Sequence, residues 1–494
     1  MSKAFDKVWH QGLIFKLKQN GVSGQLLKLL SNYLSNRLQR TVINGQNSEW
    51  APIQSGVPQG SVLGPLLFLI FVNDLETGIS CNVKFFADDV SLFSIVHDPI
   101  TSATDLNRDL NTIVSWAKQW KMSFNPDPTK PAEEIIFSCK KTETTHPPLL
   151  FQNSEVKRVD YHKHLGLILD SKLSFTRHIN EKVSKAKKWI GMIRHLRSYL
   201  PTKTLDQIYK MYARPHLDYC DIIYHSPVMT HDFSSSLTLN YRMNILESTQ
   251  YQAALAITGA WKGTNLDKVY EQLGWESLSN RRVSRRLAMF FKIMNNLTPT
   301  YLKEPLPFQQ GRYRLRANCI INTIPYRNIK YNNSFFPNSI SLWNNLDPTI
   351  KRSRNISTFK SAILKIIRPQ KKKIFNIHDT NRLKWIYQLR VGLSPLKYHK
   401  KRHNFNDTPN DTCPCTTGLE TTEHFLLKCP LYPNARVTLL NSVDMVLSSN
   451  NFLVLNNSEL VNVLLYGHPT FSDSDNKNIL IATLDYISNS NRFS

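Results

Sequence analysis

The stretch Val83-Lys84-Phe85-Phe86-Ala87-Asp88-Asp89-Val90-Ser91-Leu92 sets two adjacent carboxylates between two short apolar runs. Residues 83–86 and 90–95 are rich in β-branched and aromatic side chains, which predicts two strands around a tight turn at Asp88-Asp89. Such a hairpin would hold both carboxylates at the mouth of a cleft, where oxygen ligands suit a hard cation such as Mg²⁺. Asp is also a common turn residue, so the pair alone is weak evidence.

A glycine-rich loop leading into an apolar segment lies upstream of this pair. It reads Ser55-Gly56-Val57-Pro58-Gln59-Gly60-Ser61-Val62-Leu63-Gly64-Pro65, and an apolar run at 66–72 follows. Pro65 before that run predicts a helix with proline at its first position. Glycines allow a backbone to approach a flat partner closely. The plainer alternative is an ordinary loop before a core helix.

The order of three motifs is more specific than any one of them. Ser2-Lys3-Ala4-Phe5-Asp6, then the loop around Gln59-Gly60, then Phe86-Ala87-Asp88-Asp89 together resemble the reverse transcriptases of non-LTR (LINE-type) retrotransposons, and most closely the jockey-like group. The resemblance implies RNA-directed DNA synthesis with two Mg²⁺ ions, or Mn²⁺ in their place, held by Asp88 and Asp89. It also implies an RNA template, a DNA primer or target DNA, and dNTPs as partners.

The same resemblance implies an α+β fold. It predicts a partial right-hand polymerase palm, with a βαββ-type sheet and helices, followed by a mainly helical thumb and a C-terminal Cys/His module. We therefore expect four regions. They are an incomplete palm without fingers at 1–170, the thumb and post-polymerase region at 171–302, a basic irregular connector at 303–380, and the C-terminal region at 381–494.

Further site residues follow from the resemblance alone. Phe5 matches the aromatic gate that excludes the ribose 2′-hydroxyl, and Gln59 and Gly60 match the contact to the template and the new base pair. Leu165-Gly166 resembles the turn of the primer-grip hairpin. Lys130 matches the lysine that protonates the pyrophosphate, although a lysine ending an exposed loop is an equal alternative.

The first motif of the family reads Asp-x-Ser-Lys-Ala-Phe-Asp, and Met1 stands at its x position. The resemblance thus predicts that the first metal-binding Asp precedes Met1, with Asp6 as the second, non-catalytic Asp. Without that ligand we expect little or no polymerase activity from the chain as written. The alternative function is a non-catalytic nucleic-acid-binding remnant of such an element. An unrelated metal phosphohydrolase using Asp88-Asp89 would leave the glycine-rich loop unexplained.

The charge of the chain also points to nucleic acid. Its 62 Lys and Arg against 37 Asp and Glu give a net charge of +25, and such an excess favours a polyanionic partner over a merely soluble basic surface. Two basic helical stripes, at 182–194 and 281–286, are predicted to hold the template–primer backbone. Lys187, Lys188, Arg285 and Arg286 are the residues proposed for this contact.

A cluster near the end of the chain has the spacing C-x-C-x8-H-x4-C. Three thiolates and an imidazole make a closed tetrahedral zinc set, and small core cysteines are the alternative. By analogy with zinc knuckles, the predicted role is contact with RNA or DNA. The predicted ligands are Cys413, Cys415, His424 and Cys429.

Apolar segments and cysteines bear on the cellular location of the protein. Residues 1–20 lack the apolar core of a secretory signal, and the apolar run at 66–72 is far too short to cross a bilayer. Four of the seven cysteines are scattered singly, which fits a reducing compartment. We expect an intracellular protein, nuclear and/or cytoplasmic, that is not secreted and has no membrane partner.

Overall fold

The chain folds as two compact units, Met1–Ser174 and Phe175–Ser494. This computed structural model describes residues 3–124, 132–138, 145–225, 237–307, 321–326, 328–367, 380–450 and 455–493. Helices and strands both occur, in agreement with the predicted α+β class. Among the described residues, no helix combines the length and the apolar character needed to cross a membrane.

The described part of the first unit contains four helices longer than one turn. Their apolar faces meet in one core, whose large side chains include Leu13, Leu17, Phe68, Phe71 and Trp116. The helices are α1 (His10–Gln19), α2 (Gly24–Leu34), α3 (Leu63–Val72) and α4 (Pro99–Gln119), with 3₁₀ turns at Ala4–Asp6 and Asn73–Glu76.

The start of α3 differs from the sequence prediction, and a side-chain cap sets the start of α4. Helix α3 begins at Leu63, so Pro65 is its third residue rather than its first. Helix α4 begins at Pro99 because the Asp98 side chain accepts a hydrogen bond from the Thr101 amide at 2.8 Å. An N-cap of this kind fixes a helix start that apolar spacing alone does not reveal.

The strands of the first unit are short and pair in twos. The pairs β1–β4, β2–β3, β5–β6, β8–β9 and β11–β12 are antiparallel, and β7–β10 is parallel. The strands are β1 (Leu38–Gln39), β2 (Val42–Ile43), β3 (Gln46–Asn47), β4 (Ala51–Pro52), β5 (Asn82–Phe86), β6 (Asp89–Phe93), β7 (Glu133–Glu134), β8 (Leu150–Phe151), β9 (Ser154–Glu155), β10 (Lys157–Arg158), β11 (Tyr161–His164) and β12 (Leu167–Asp170).

The described part of the second unit is helical. Its helices are α5 (Thr176–Leu196), α6 (Thr202–Ile208), α7 (Arg214–Asp218), α8 (Asp221–Tyr224), α9 (Leu237–Thr258), α10 (Leu266–Leu273), α11 (Leu278–Met294), α12 (Ile329–Asn332), α13 (Phe335–Asn344), α14 (Pro348–Lys351), α15 (Ile356–Ile367), α16 (Thr380–Val391), α17 (Lys397–Arg402), α18 (Pro433–Ser449), α19 (Asn457–Tyr466) and α20 (Asp473–Asn489). A 3₁₀ turn lies at Thr300–Leu302, and π-helical turns lie at Tyr209–Ala213 and His424–Lys428.

Apolar clusters among the described residues stabilise this unit. One joins α5, α6, α9 and α10, and another joins α11, α13 and α15. The last joins α16, α18, α19 and α20 with the turn that carries Phe425 and Leu426. The prediction of an irregular connector is wrong for 328–367, because that segment forms α12 to α15 and buries Trp343 and Phe359.

Candidate functional site

Asp88 and Asp89 lie at the tip of the β5–β6 hairpin. The register pairs Phe86 with Asp89, so the two-residue turn consists of Ala87 and Asp88, one position earlier than predicted. Ala87 has a left-handed backbone, with φ of +52°. Asp88 is half-buried and Asp89 is exposed. The two carboxylates therefore belong to different parts of the hairpin, one in the turn and one on the first residue of β6.

The alternation of the strands sorts the faces of this hairpin. Phe85, Val90 and Leu92 pack partly buried against the core of the first unit. Phe86 and Asp89 form a cross-strand pair, and 63% of the Phe86 side chain is exposed. Because neighbouring residues of a strand point to opposite faces, Asp89 projects away from the core.

The glycine-rich loop binds the backbone of the first motif directly. The Val57 amide donates to the Phe5 carbonyl, and the Gly56 amide donates to the Val8 carbonyl, both at 2.8 Å. Gly56 has φ of +93°, and a Cβ there would lie 2.8 Å from the backbone of Asp6. The loop can therefore approach this closely only because position 56 is glycine.

Two predicted contact residues have partners within the protein itself. The Gln59 side-chain amide donates to Asp6 Oδ1 at 2.7 Å, and Gln59 remains exposed. The Phe5 ring stacks on Phe68 of α3, with ring centroids 4.4 Å apart. Sequence reasoning missed the Gln59–Asp6 hydrogen bond, because no feature of either motif indicates that the two residues are in contact. Gly60 has φ of +80°, and no heavy atom would lie within 4 Å of a Cβ at this position.

Leu165 and Gly166 form the turn of a second hairpin, β11–β12. His164 pairs with Leu167, so the turn has two residues, and both have positive φ, +46° and +82°. Two-residue turns of this handedness match the twist of antiparallel strands. The predicted hairpin therefore exists, with Leu165 exposed at its tip. Lys130 lies outside the described residues.

The carboxylate pair suits a hard cation by its donor chemistry. Mg²⁺ in proteins is commonly bound through one or two carboxylates, with waters and substrate phosphates completing its shell. Among the described residues, the single group of three or more convergent Cys, His, Asp or Glu ligand atoms is the Cys413–Cys415–His424–Cys429 set. A metal ion at the tip of the β5–β6 hairpin would therefore have two carboxylate ligands from the described residues, those of Asp88 and Asp89.

Comparison with known proteins identifies the segment that holds this geometry. Residues 1–161 match the family described as reverse transcriptase (RNA-dependent DNA polymerase). The resemblance predicted from the three motifs is confirmed.

Relatives of known name agree with the match to the reverse transcriptase family. The chain is 31% identical, over 243 residues covering 47% of the chain and 26% of the relative, to the RNA-directed DNA polymerase from mobile element jockey of Drosophila funebris. It is also 31% identical, over 215 residues covering 42% and 23%, to the probable RNA-directed DNA polymerase from transposon BS of Drosophila melanogaster. The chain thus spans about a quarter of the length of these curated relatives. These names do not favour the alternative of a non-catalytic remnant.

The two predicted basic stripes differ in the structure. Lys187 and Lys188 are exposed on α5, and within the described residues neither lysine has a carboxylate partner. Arg286 is fully buried and donates to backbone carbonyls, including those of Ser334 and Ile222 at 3.0 and 3.2 Å. Arg286 therefore cannot hold a nucleic-acid backbone, and that prediction is wrong.

Arg285 is also committed to the protein. Its guanidinium lies 3.3 Å from a carboxylate oxygen of Asp218 and 3.3 Å from one of Asp221. Burial raises the pKa of Asp221 to about 6, although the positive charge of Arg285 opposes that rise. Because these carboxylates offset its charge, Arg285 is a poor candidate for phosphate contact. One signal of this pairing is visible in the sequence, because Asp218 and Asp221 lie close together in Asp218-Tyr219-Cys220-Asp221.

The four residues of the Cys/His cluster lie close together. One ligand atom from each of the four residues lies within 4.8 Å of all the others. Cys413 Sγ is 3.6 Å from Cys429 Sγ, and Cys415 Sγ is 3.1 Å from His424 Nε2. Four ligands around one zinc ion, with Zn–S bonds of about 2.3 Å, place their sulfurs about 3.8 Å apart. These residues therefore fit a zinc ion.

The protonation of these thiols differs from one to the next. Burial raises the pKa of Cys413 and that of Cys429. Burial also opposes ionisation of Cys415, but hydrogen bonds from Thr417, Cys413 and His424 outweigh it and lower the pKa of Cys415. Metal binding requires thiolates, so Cys415 is the ligand already closest to its metal-binding form.

Proposed function

We propose that this chain provides the palm and thumb of an RNA-directed DNA polymerase of the non-LTR retrotransposon type. The observation that carries the proposal is the Asp88-Asp89 pair at a hairpin tip, inside the segment that matches the reverse transcriptase family. In this proposal an RNA template, a DNA primer or target DNA, and dNTPs are the partners. The location of the protein would be nuclear and/or cytoplasmic.

Asp88 and Asp89 would hold the catalytic Mg²⁺ ions, with Mn²⁺ as a substitute. When bound, such ions activate the primer 3′-hydroxyl and stabilise the negative charge on the pyrophosphate leaving group. The exposed Asp89 and the half-buried Asp88 offer carboxylates at one hairpin tip, which is the support the geometry gives. Lys130 is proposed as the proton donor to the pyrophosphate.

The residues around Asp6 would position the new base pair. Phe5, held against Phe68, would exclude a ribose 2′-hydroxyl by its bulk. Gln59 and Gly60 would approach the template, and the bond from Gln59 to Asp6 restricts the Gln59 side chain before any template binds. Leu165-Gly166 would support the primer end as the tip of its own hairpin.

Metal binding is the most direct test of the Asp88-Asp89 site. We expect Asp88→Asn and Asp89→Asn each to abolish Mn²⁺ binding, followed by electron paramagnetic resonance with primer–template and dNTP present. Asp105→Asn is the matched control, since Asp105 pairs with Arg108 on α4 and should leave the signal unchanged. Mn²⁺ binding that survives both hairpin substitutions would falsify this assignment.

Phosphate contact is proposed for Lys187 and Lys188 of the thumb helix α5. Neutralising both as Lys187→Gln/Lys188→Gln should lower the affinity for nucleic acid of any sequence. Each lysine removed should reduce the slope of log affinity against log salt by about one. Arg285→Gln serves as a contrast, because its charge is already paired within the protein. An unchanged slope in the double variant would leave these lysines as an ordinary solvated surface.

Zinc is proposed for Cys413, Cys415, His424 and Cys429, with contact to RNA or DNA as the predicted role. Elemental analysis of purified protein should give one zinc per chain for the wild type and none for Cys413→Ser/Cys429→Ser. Cys81→Ser is the control, because Cys81 is not one of the four clustered residues. An equal zinc content in all three proteins would contradict the assignment of these residues as zinc ligands.

A further inference from the structure

Exposed aromatic rings line one side of α5, next to its lysines. Tyr212 and Tyr219 are 46% and 41% exposed as whole residues, although both contact this helix. We call this surface the basic–aromatic row. It consists of Lys185, Lys188, Trp189, Tyr212, His216 and Tyr219.

The rings of this row are fixed by the helix beneath them. Tyr212 stacks on Trp189 with centroids 4.6 Å apart and planes 24° from parallel. The Lys182 ammonium lies 4.3 Å from the centre of the Tyr219 ring. Each tyrosine is therefore held through one face or edge while a large part of the ring stays open to solvent.

The spacing of the row follows from helix geometry. Tyr212 lies over position 189 of α5 and Tyr219 over position 182, which are seven residues apart along the helix. At about 1.5 Å per residue this separates the two rings by roughly 10 Å along the helix. His216 lies between them in sequence and is close enough to Lys182 and Lys185 to feel their charges. The row is thus about as long as three nucleotides stacked at roughly 3.4 Å each.

The charges on this side of α5 are mostly positive. Lys185 and Lys188 are three residues apart, and Lys185 and Trp189 are four apart, so all three share one flank of the helix. The acidic Glu181 is bonded to Lys185 at 2.6 Å. Burial and the charges of Lys182 and Lys185 lower the pKa of His216, which favours the uncharged ring at neutral pH.

We propose that the basic–aromatic row binds unpaired nucleic acid, with bases stacking on Tyr212 and Tyr219 and with the ammonium of Lys188 beside the phosphates. The inference rests on the proposed nucleic-acid function and narrows its partner to a single strand. In a duplex the faces of the bases are covered by their neighbours, whereas an unpaired strand can offer them to exposed rings. The positive charge of the flank selects a polyanion over an apolar protein partner.

Fluorescence anisotropy of the full chain with labelled oligothymidine and with a labelled duplex can test this. Tyr212→Leu should weaken single-strand binding about tenfold and leave duplex binding unchanged, because one base–ring contact is lost. Tyr212→Phe keeps the ring and should bind like the wild type. Tyr331→Leu is the matched control, since Tyr331 is 49% exposed on α12, in a different part of the second unit.

Salt dependence separates this inference from the phosphate contacts. Tyr212→Leu should lower affinity at every salt concentration without changing the slope, whereas Lys187→Gln/Lys188→Gln should flatten it. Unchanged oligothymidine affinity in Tyr212→Leu, with duplex binding intact, would overturn the stacking inference while the proposed polymerase site stands. That is the result expected if a protein partner covers the rings. Equal loss on both nucleic acids would also overturn it, and would mean that Tyr212 merely supports the helix.

Discussion

Gly56 lies so close to the backbone of Asp6 that a methyl group cannot fit between them. Its φ of +93° is also one that side chains rarely adopt. We expect Gly56→Ala to lower the free energy of unfolding of the first unit by roughly 2 kcal/mol or more. Urea denaturation followed by circular dichroism measures this. Gly191→Ala is the control. Gly191 lies in helix α5, and a Cβ at this position would have no heavy atom within 4 Å, so alanine should stabilise the helix by about 0.5–1 kcal/mol.

His399 is a single residue that makes the stability of the second unit depend on pH. It is buried, with Ser394 Oγ 2.8 Å from its Nδ1 and Thr422 Oγ1 3.3 Å from its Nε2. Burial, aided by nearby positive charges, lowers the pKa of His399 to about 4. A histidine with a lowered pKa stabilises the fold above its ordinary value of about 6.5, and this contribution is lost as the pH falls toward about 4.

The second unit should therefore lose about 2 kcal/mol of stability between pH 7 and pH 5 through this one group. His399→Gln, whose amide can still donate and accept, should remove most of that loss. Urea unfolding at both pH values measures it, with His403→Gln as the exposed neighbour for comparison. Equal pH dependence in His399→Gln and wild type would contradict the assignment.

Single residues also show where sequence reasoning succeeded and where it could not. Asp88 and Asp89 were predictable at a hairpin tip because two short β-rich runs flank them. The role of Arg286 was not predictable from the sequence, because four arginines at helical spacing give the same pattern whether they face water or a core. The difference lies in partners distant in sequence, such as the Ser334 carbonyl, which no local pattern contains.

Among the elements, helix α13 explains the failed prediction of an irregular connector. The helix buries Asn338 and Ser339 beside Ile340 and Trp343. Asn338 is buried because it accepts a hydrogen bond from Arg286 at 3.0 Å. Polar residues on the buried face interrupt the apolar period on which a helix prediction depends. The Cys/His cluster, in contrast, was predictable because its spacing lies within one short segment.

The turn that carries His424 is built into the C-terminal core. Phe425 and Leu426 are buried there, and the Phe425 carbonyl accepts a hydrogen bond from the Tyr486 hydroxyl of α20. The Cys429 carbonyl accepts one from Arg436 of α18. A metal at this cluster would therefore stabilise packing between elements, in addition to any contact with nucleic acid.

Removing zinc should loosen this core. After chelation, we expect amide hydrogen exchange to rise by at least tenfold in residues 413–429 and in the adjoining part of α20, while α5 keeps its protection. Hydrogen exchange with mass spectrometry measures both segments in one experiment. Exchange that is equal before and after chelation would show that the cluster does not depend on metal for its fold.

For the whole molecule, the separate cores of the two units have a thermodynamic consequence. Among the described residues, the first unit has its own cluster around Phe68 and Phe71, and the second unit has clusters that contain none of these residues. We expect two unfolding transitions in urea rather than one. Gly56→Ala should shift the transition of the first unit, and zinc removal should shift that of the second unit. A single transition that shifts under both changes would show that the units unfold together.

The left-handed backbone of Ala87 restricts which sequences can carry this hairpin. Only small or turn-forming residues tolerate a φ of +52° at low cost, so glycine or asparagine could replace Ala87, whereas valine, isoleucine or threonine would be strained. In this chain, Ala87→Val should therefore strain the turn, whereas Ala87→Gly should not. A strained turn would change the direction in which the carboxylates of Asp88 and Asp89 point.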